Sequence, residues 1–208
     1  MDKVINEKLV SLSANLGEAA LDSVISDGIF KDIPILGTVI SVGKIGYTIV
    51  DSWNIGKIIK FINNLDLKNE NDINDFKEKY FKDKDYVKIG EKIFSILERS
   101  HDEIKIKWLA KCFRQFLDRK LNKDDFMRLM SIINNAYVSD VEKIGVFDTK
   151  NKITSINNLI ESYVLDHLYS IGLLEQCGFD GGDFEGINSG TVYTLNKFGL
   201  LLKDIVLL

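Results

Sequence analysis

Proline is nearly absent from this chain, since Pro34 is the only one among 208 residues. Prolines interrupt helices and punctuate loops, so their scarcity favours a helical chain. Cysteine is scarce as well, and Cys112 and Cys177 lie far apart without a CxxC partner. That usage predicts reduced, buried thiols in a cytoplasmic chain rather than a disulfide framework or a thiolate metal site.

Residues that could catalyse a reaction or hold a metal are few and scattered. The two histidines, His101 and His167, have no second histidine or cysteine at ligand spacing, and no Walker A, GxGxxG or GxSxG pattern is present. Clustered carboxylates fall at expected helix starts, where the helix dipole favours negative charge. We therefore predict that the protein is not an enzyme and that it uses no cofactor and no metal.

Clustered positive charge is also missing. The net charge is −4, and residues 151–208 hold 3 basic and 7 acidic groups. Binding to a phosphate backbone requires clustered lysine and arginine, so nucleic acid is disfavoured as a partner. The first 25 residues have scattered acids and no compact apolar core, so no signal peptide is predicted.

Helical periodicity dominates the rest of the chain. Apolar residues recur every three or four positions, which predicts a mainly α fold: a multi-helix bundle with a small C-terminal winged-helix-like β-hairpin. Three parts are expected, namely an N-terminal helical region over residues 1–65, a charged linker over 66–85 and a helical bundle over 86–208. The predicted helices are residues 4–26, one ending near Leu65, Val87–Arg99, Ile104–Arg119, Asn122–Tyr137, Ser155–Ser170 and Lys197–Leu208.

The hairpin is predicted close to the C-terminus. Thr191–Leu195 is rich in the β-branched and aromatic residues that favour strands, and Leu173–Cys177 is expected to pair with it. The polar, glycine-rich residues 178–190 would form the wing tip. Helix Ser155–Ser170 has no lysine or arginine and the tip is acidic, so the wing should contact its own domain or a protein partner rather than DNA.

The longest apolar stretch, Ile33–Val50, has 18 residues and one charge, Lys44. This is the lower limit for a membrane span. Two interpretations remain open: a tightly packed helix pair in the core, or a segment that enters a membrane on a trigger. Lys44 at mid-span would cost about 2.5–3.5 kcal/mol, which disfavours a permanent span.

Both interpretations assign roles to the same side chains. Small residues allow close helix packing in protein or in lipid, aromatic rings suit a membrane interface, and lysines can extend their charge to water. The candidate residues are Gly37, Ser41, Gly43, Lys44, Gly46, Tyr47, Trp53 and Lys57.

Residues 27–62, DGIFKDIPILGTVISVGKIGYTIVDSWNIGKIIKFI, resemble the opening of an uncharacterised bacterial family with a DG-x-x-KDIP-x-x-GT segment. The middle stretch IKIKWLAKCFRQFLDRKLNKDDFMRLMSIINNAYVSD looks like the helical core of the same family. LYSIGLLEQ followed by YTLNKFGLLL is similar to the tail of abortive-infection alpha-type proteins. The resemblance implies an association with bacterial defence and carries over no active-site residues.

Together these features predict a non-enzymatic bacterial interaction protein, in its finer form a phage-defence or membrane-acting effector. It would bind a protein partner or a second copy of itself, and would be cytoplasmic, with membrane association on activation. The alternative is a winged-helix regulator that binds nucleic acid.

Overall fold

The computed structural model of the protein describes residues 52–66, 83–148, 151–156, 159–182 and 189–206. The fold is mainly helical with a small antiparallel sheet near the C-terminus, which confirms the predicted class. The described helices are α1 (Ser52–Asn63), α2 (Asp83–Arg99), α3 (Glu103–Leu117), α4 (Lys123–Asn135), α5 (Val138–Glu142), a 3₁₀ helix (Lys143–Asp148), α6 (Ser162–Ser170) and α7 (Lys197–Val206). The strands are β1 (Ile153–Thr154), β2 (Leu174–Asp180) and β3 (Gly190–Leu195).

The chain divides into two compact units, Met1–Asn122 and Lys123–Leu208. The charged linker expected over residues 66–85 lies largely outside the described residues, so it stays a prediction. The same holds for the expected helix over residues 4–26.

The first unit is built on the apolar face of α1, which packs against α2 and α3. Ile58, Phe61 and Ile62 each keep 2% exposure or less. The ring of Phe61 lies 6.0 Å from that of Phe113 in α3, tilted by 40°, a favourable arrangement for an aromatic pair. The period of apolar residues in the sequence therefore corresponds to an observed helix–helix core.

The sheet has the order β1-β3-β2, with β3 at the centre. The predicted pairing of the two hairpin strands is observed, and β2 runs past Cys177 as far as Asp180. The register shifts between Gln176 and Gly178, so Cys177 is the extra residue of a β-bulge.

A third strand and a shorter helix correct the sequence-based expectation. The structure has a sheet of three strands rather than a single hairpin, because Ile153 of β1 pairs with Tyr193. A strand of two residues is too short to show an alternating pattern. The helix predicted over Ser155–Ser170 begins only at Ser162, and residues 155–156 and 159 lie in turns.

Asn196 joins α7 to the start of β2. Its side-chain oxygen accepts hydrogen bonds from the N–H groups of Phe198 (2.9 Å) and Gly199 (3.0 Å), as an N-cap residue does. Its side-chain nitrogen donates to the main-chain carbonyls of Gly172 (2.9 Å) and Leu174 (3.2 Å). One side chain thus satisfies groups on both elements.

Gly199 permits the close approach of α7 to the same loop. A Cβ atom there would overlap the main-chain carbonyl oxygen of Leu173 and lie 2.8 Å from Cδ2 of Leu195. Only glycine fits this contact without a shift of the backbone.

Within the part of the chain that the structure describes, no helix combines the length and the apolar character that crossing a bilayer requires. The apolar stretch Ile33–Val50 lies outside the described residues.

Candidate interaction surface

The second unit carries an exposed surface formed by α6 and the outer part of the hairpin, which we call the wing face. It combines aromatic, polar and acidic side chains from three elements. Its exposed residues are Tyr163, Asp166 and Tyr169 of α6 and Gln176 and Phe179 of β2, and they are joined by Tyr193 of β3, which contacts Asp166 but is itself buried, with 3% of its surface exposed.

Helical spacing brings the α6 residues together. Tyr163, Asp166 and Tyr169 are each three residues apart, which places them along one side of the helix. Tyr163 keeps 66% of its surface exposed and Tyr169 keeps 44%, whereas Val164, Leu165 and Leu168 on the other side are buried. The amphipathic pattern of α6 therefore leaves an aromatic stripe outside the core.

The bulge in β2 determines which side chains of this strand point to the same side as the aromatic stripe of α6. Gln176 lies opposite Tyr193, and Phe179 lies opposite Thr191. Side chains two residues apart on a strand share a face, so Thr191 and Tyr193 point to the same side. The extra residue at the bulge puts Phe179, rather than Gly178, on that side, and Phe179 is 69% exposed.

Tyr193 connects β3 to the α6 residues of the wing face. Its hydroxyl donates a hydrogen bond of 2.9 Å to Oδ1 of Asp166, and its ring lies 5.9 Å from that of Tyr169. Burial has the larger effect and the hydrogen bond to Asp166 the smaller one, and both raise the pKa of the Tyr193 hydroxyl above its ordinary value. The hydroxyl therefore remains a proton donor at neutral pH and holds the Asp166 carboxylate in position.

The charge of this region is of one sign. The sequences of α6, β2 and β3 contain no lysine or arginine, whereas Asp166, Glu175 and Asp180 are exposed. The second unit as a whole has 7 basic and 12 acidic residues. The resulting field would repel a phosphate backbone and attract cations.

Two lysines near this region make ion pairs. Lys143 Nζ lies 2.6 Å from a carboxylate oxygen of Glu161, and Lys197 Nζ lies 2.5 Å from a carboxylate oxygen of Asp125. These pairs reduce the positive charge that either lysine presents to a ligand.

His167 and Asp140 form the half-buried pair that resembles part of a catalytic triad. Nδ1 of His167 donates to Oδ2 of Asp140 over 2.6 Å, and Nε2 lies 3.4 Å from the carbonyl oxygen of Asn135. A triad requires a nucleophile at Nε2, where the recorded neighbour is a main-chain carbonyl. The contact ties α6 to α5 and to the end of α4.

Among the described residues, no group of three histidine, cysteine or acidic side chains is placed to hold a metal ion. Cys112 is buried in α3, and burial raises the pKa of its thiol. Cys177 is exposed at the bulge, so the expectation of two buried thiols is wrong for this residue. Both sides of β2 beyond Leu174 are open to solvent, which the sequence did not indicate.

Most of the candidate residues in the N-terminal apolar segment cannot be placed. Gly37, Ser41, Gly43, Lys44, Gly46 and Tyr47 lie outside the described residues, and the structure gives the backbone position of Trp53 in α1.

Lys57 is placed, and it is buried rather than extended into water, with 5% of its surface exposed. Its ammonium group donates to the carbonyl oxygen of Glu98 over 2.8 Å. That carbonyl lies in the last turn of α2, where carbonyls have no partner within the helix and favour a cation. Burial lowers the pKa of Lys57, an effect that the nearby Glu98 opposes.

No protein-family model, no curated protein and no solved structure matches this chain. The lack of lysine and arginine in this helix was recognised from the sequence, but the aromatic stripe beside Asp166 was not. The signal was available, since the spacing of Tyr163, Asp166 and Tyr169 already places them on one side of a helix.

Proposed function

We propose that the protein is a non-enzymatic bacterial interaction protein whose C-terminal unit binds a protein partner through the wing face. The observation that supports this proposal is the exposed aromatic stripe beside Asp166, on elements without lysine or arginine. Tyrosine and phenylalanine are enriched in protein interfaces, where they bury much area at little entropic cost. The bond between Tyr193 and Asp166 gives this surface a fixed geometry before a partner arrives.

A regulator that binds nucleic acid is the second candidate, favoured by the order of helix, hairpin and helix. The charge of α6 and the hairpin argues against it, because exposed acidic groups stand where a DNA-binding wing would need cations. We expect no detectable binding to duplex DNA near physiological salt.

The finer form of the proposal is a phage-defence effector with a membrane-acting segment. It rests on the resemblance of residues 27–62 and of the C-terminal tail to defence-associated bacterial proteins. We propose that the resting protein is cytoplasmic and that residues 33–62 reach a membrane only on activation.

Activation of that kind would have to detach α1. Its buried face contacts α2 and α3, Lys57 is bonded to Glu98, and Lys60 forms an ion pair with Glu103. Flotation of the purified protein with liposomes, with and without a mild destabilising agent, tests this step. Binding to liposomes without any trigger would contradict a docked resting state.

Photo-crosslinking in living bacteria tests the interaction proposal. A photoreactive amino acid is placed at Phe179 or at Tyr163 on the wing face, and at Leu200 as the control. Leu200 is also exposed, at 51%, but lies on α7. We expect discrete adducts with a second polypeptide from the two wing positions and none from Leu200.

Two results would contradict the proposal. One is an equal yield of adducts from all three positions, which would indicate random collisions. The other is an adduct that nuclease treatment removes, which would favour the regulator.

A further inference from the structure

The wing face also indicates what kind of polypeptide it binds. Resting on the proposed function, we infer that its occupant is a basic segment of a partner protein, and that a lysine or arginine of that segment binds the carboxylate of Asp166.

Charge complementarity is the first argument. A partner must bring positive charge to the wing face, which holds Asp166 and no lysine or arginine. Glu175 and Asp180 lie opposite Thr194 and Gly190, on the other side of the hairpin, and add to the negative field of the region. An acidic partner would place like charges together, which is unfavourable at an interface. A neutral partner would leave the carboxylate of Asp166 without a charged partner when water is displaced.

The aromatic neighbours of Asp166 supply the second argument. The exposed ring of Tyr169 packs on the buried ring of Tyr193, which bonds to Asp166, and the exposed ring of Phe179 lies on the same side of the hairpin as Tyr193. A lysine or arginine side chain gains both from a carboxylate and from the face of an aromatic ring. Arginine fits such a site best, because its planar guanidinium group stacks on rings and donates two parallel hydrogen bonds to a carboxylate.

The bond from Tyr193 supplies the third argument. It holds Oδ1 of Asp166 at a fixed place, so the carboxylate loses little conformational freedom when a cation arrives. The bulge at Cys177 argues against strand addition at the edge of β2, since bulges twist edges away from pairing. Side chains, rather than the strand edge, are therefore the binding groups.

Fluorescence anisotropy of labelled peptides with the full chain tests this inference. The probe is a peptide that repeats arginine, serine and leucine. Two matched peptides carry glutamine or glutamate in place of every arginine. We expect the arginine peptide to bind more tightly than the glutamine peptide, the glutamate peptide not to bind, and added salt to weaken binding.

Variants locate the contact. Asp166→Asn keeps an oxygen that accepts from Tyr193 but removes the charge, and it should weaken binding of the arginine peptide about tenfold. Asp204→Asn is the matched control, because it makes the same change at an exposed residue of α7. It should leave the affinity unchanged within about twofold, the size of a long-range charge effect in salt.

The outcomes separate this inference from the proposed function. If Phe179→Ser weakens all neutral and basic peptides equally while Asp166→Asn has no effect, the wing face binds polypeptides but the basic occupant is wrong. Equal weakening by Asp166→Asn and Asp204→Asn, or displacement of the arginine peptide by duplex DNA at the wing face, would also overturn the inference. Absence of wing-specific photo-crosslinks contradicts the proposed function instead.

Discussion

Replacement of Asn196 should separate two contributions to the stability of the C-terminal unit. Its oxygen caps α7, and its nitrogen binds the carbonyls of Gly172 and Leu174. Asn196→Ala removes both, whereas Asn196→Ser keeps an oxygen that can cap the helix but cannot reach the two carbonyls.

The magnitudes follow from the bonds lost. An N-cap is worth about 1 kcal/mol, and each of the two side-chain bonds about 1 kcal/mol. Asn196→Ala should therefore reduce the free energy of unfolding by about 3 kcal/mol, and Asn196→Ser by about 2 kcal/mol. Urea denaturation followed by far-UV circular dichroism measures both changes.

An internal reference and a control make this measurement specific. Both tryptophans, Trp53 and Trp108, belong to the first unit, so tryptophan fluorescence reports on that unit alone. Asn151→Ala changes an exposed asparagine and should alter stability by less than about 0.5 kcal/mol. If Asn196→Ser were as stable as the wild type, the bonds to the two carbonyls would contribute nothing. If it were no better than Asn196→Ala, the cap would contribute nothing.

Three further predictions concern local packing and ionisation. Gly199→Ala should lower the free energy of unfolding by about 1–3 kcal/mol because the new Cβ overlaps a main-chain carbonyl. Urea denaturation measures this change, and Gly181→Ala is the control, because a Cβ at that position has no other atom within 4 Å. A thiol reagent should label exposed Cys177 in the folded protein, but should reach Cys112, whose burial raises its pKa, only on unfolding. Mass spectrometry of the labelled peptides measures the order, and labelling of Cys112 before Cys177 would contradict the burial. Burial lowers the pKa of Lys57, so the unfolded state binds the proton more tightly than the folded state does, and the free energy of unfolding of the wild type relative to Lys57→Met should rise with pH just below the pKa of an unfolded lysine, about 10.4. A free-energy difference that falls with pH over this range would contradict the burial.

The helices were predictable because their apolar residues repeat with the helical period. Val87–Arg99, Ile104–Arg119 and Asn122–Tyr137 correspond to α2, α3 and α4, with ends that differ by a few residues. Such ends depend on capping contacts, which are weaker signals than a repeating apolar face.

The sheet was predictable in part. Thr191–Leu195 showed strand composition, whereas β1 was too short to show any pattern. The continuation of β2 through Gly178 and Asp180 was hidden, since both residue types disfavour strands and the pairing with β3 overrides that preference.

The wing face depended on contacts that sequence spacing does not give. The stripe on α6 follows from helical geometry, but Tyr193 and Asp166 are 27 residues apart and meet only in the folded unit. The bulge that turns Phe179 to this side also has no clear sequence signal. The composition did predict that the C-terminal region is acidic, because that property depends only on which charged residues are present and not on their contacts.

Hydrogen–deuterium exchange of the full chain, alone and with the arginine peptide in excess, tests most directly whether the wing face binds a polypeptide. We expect slower exchange in β2, over Leu174–Asp180, and in α6, over Ser162–Ser170, with exchange in α1 and α3 unchanged. Protection confined to α1 and α3, with β2 and α6 unchanged, would place the binding surface in the other unit and contradict this account.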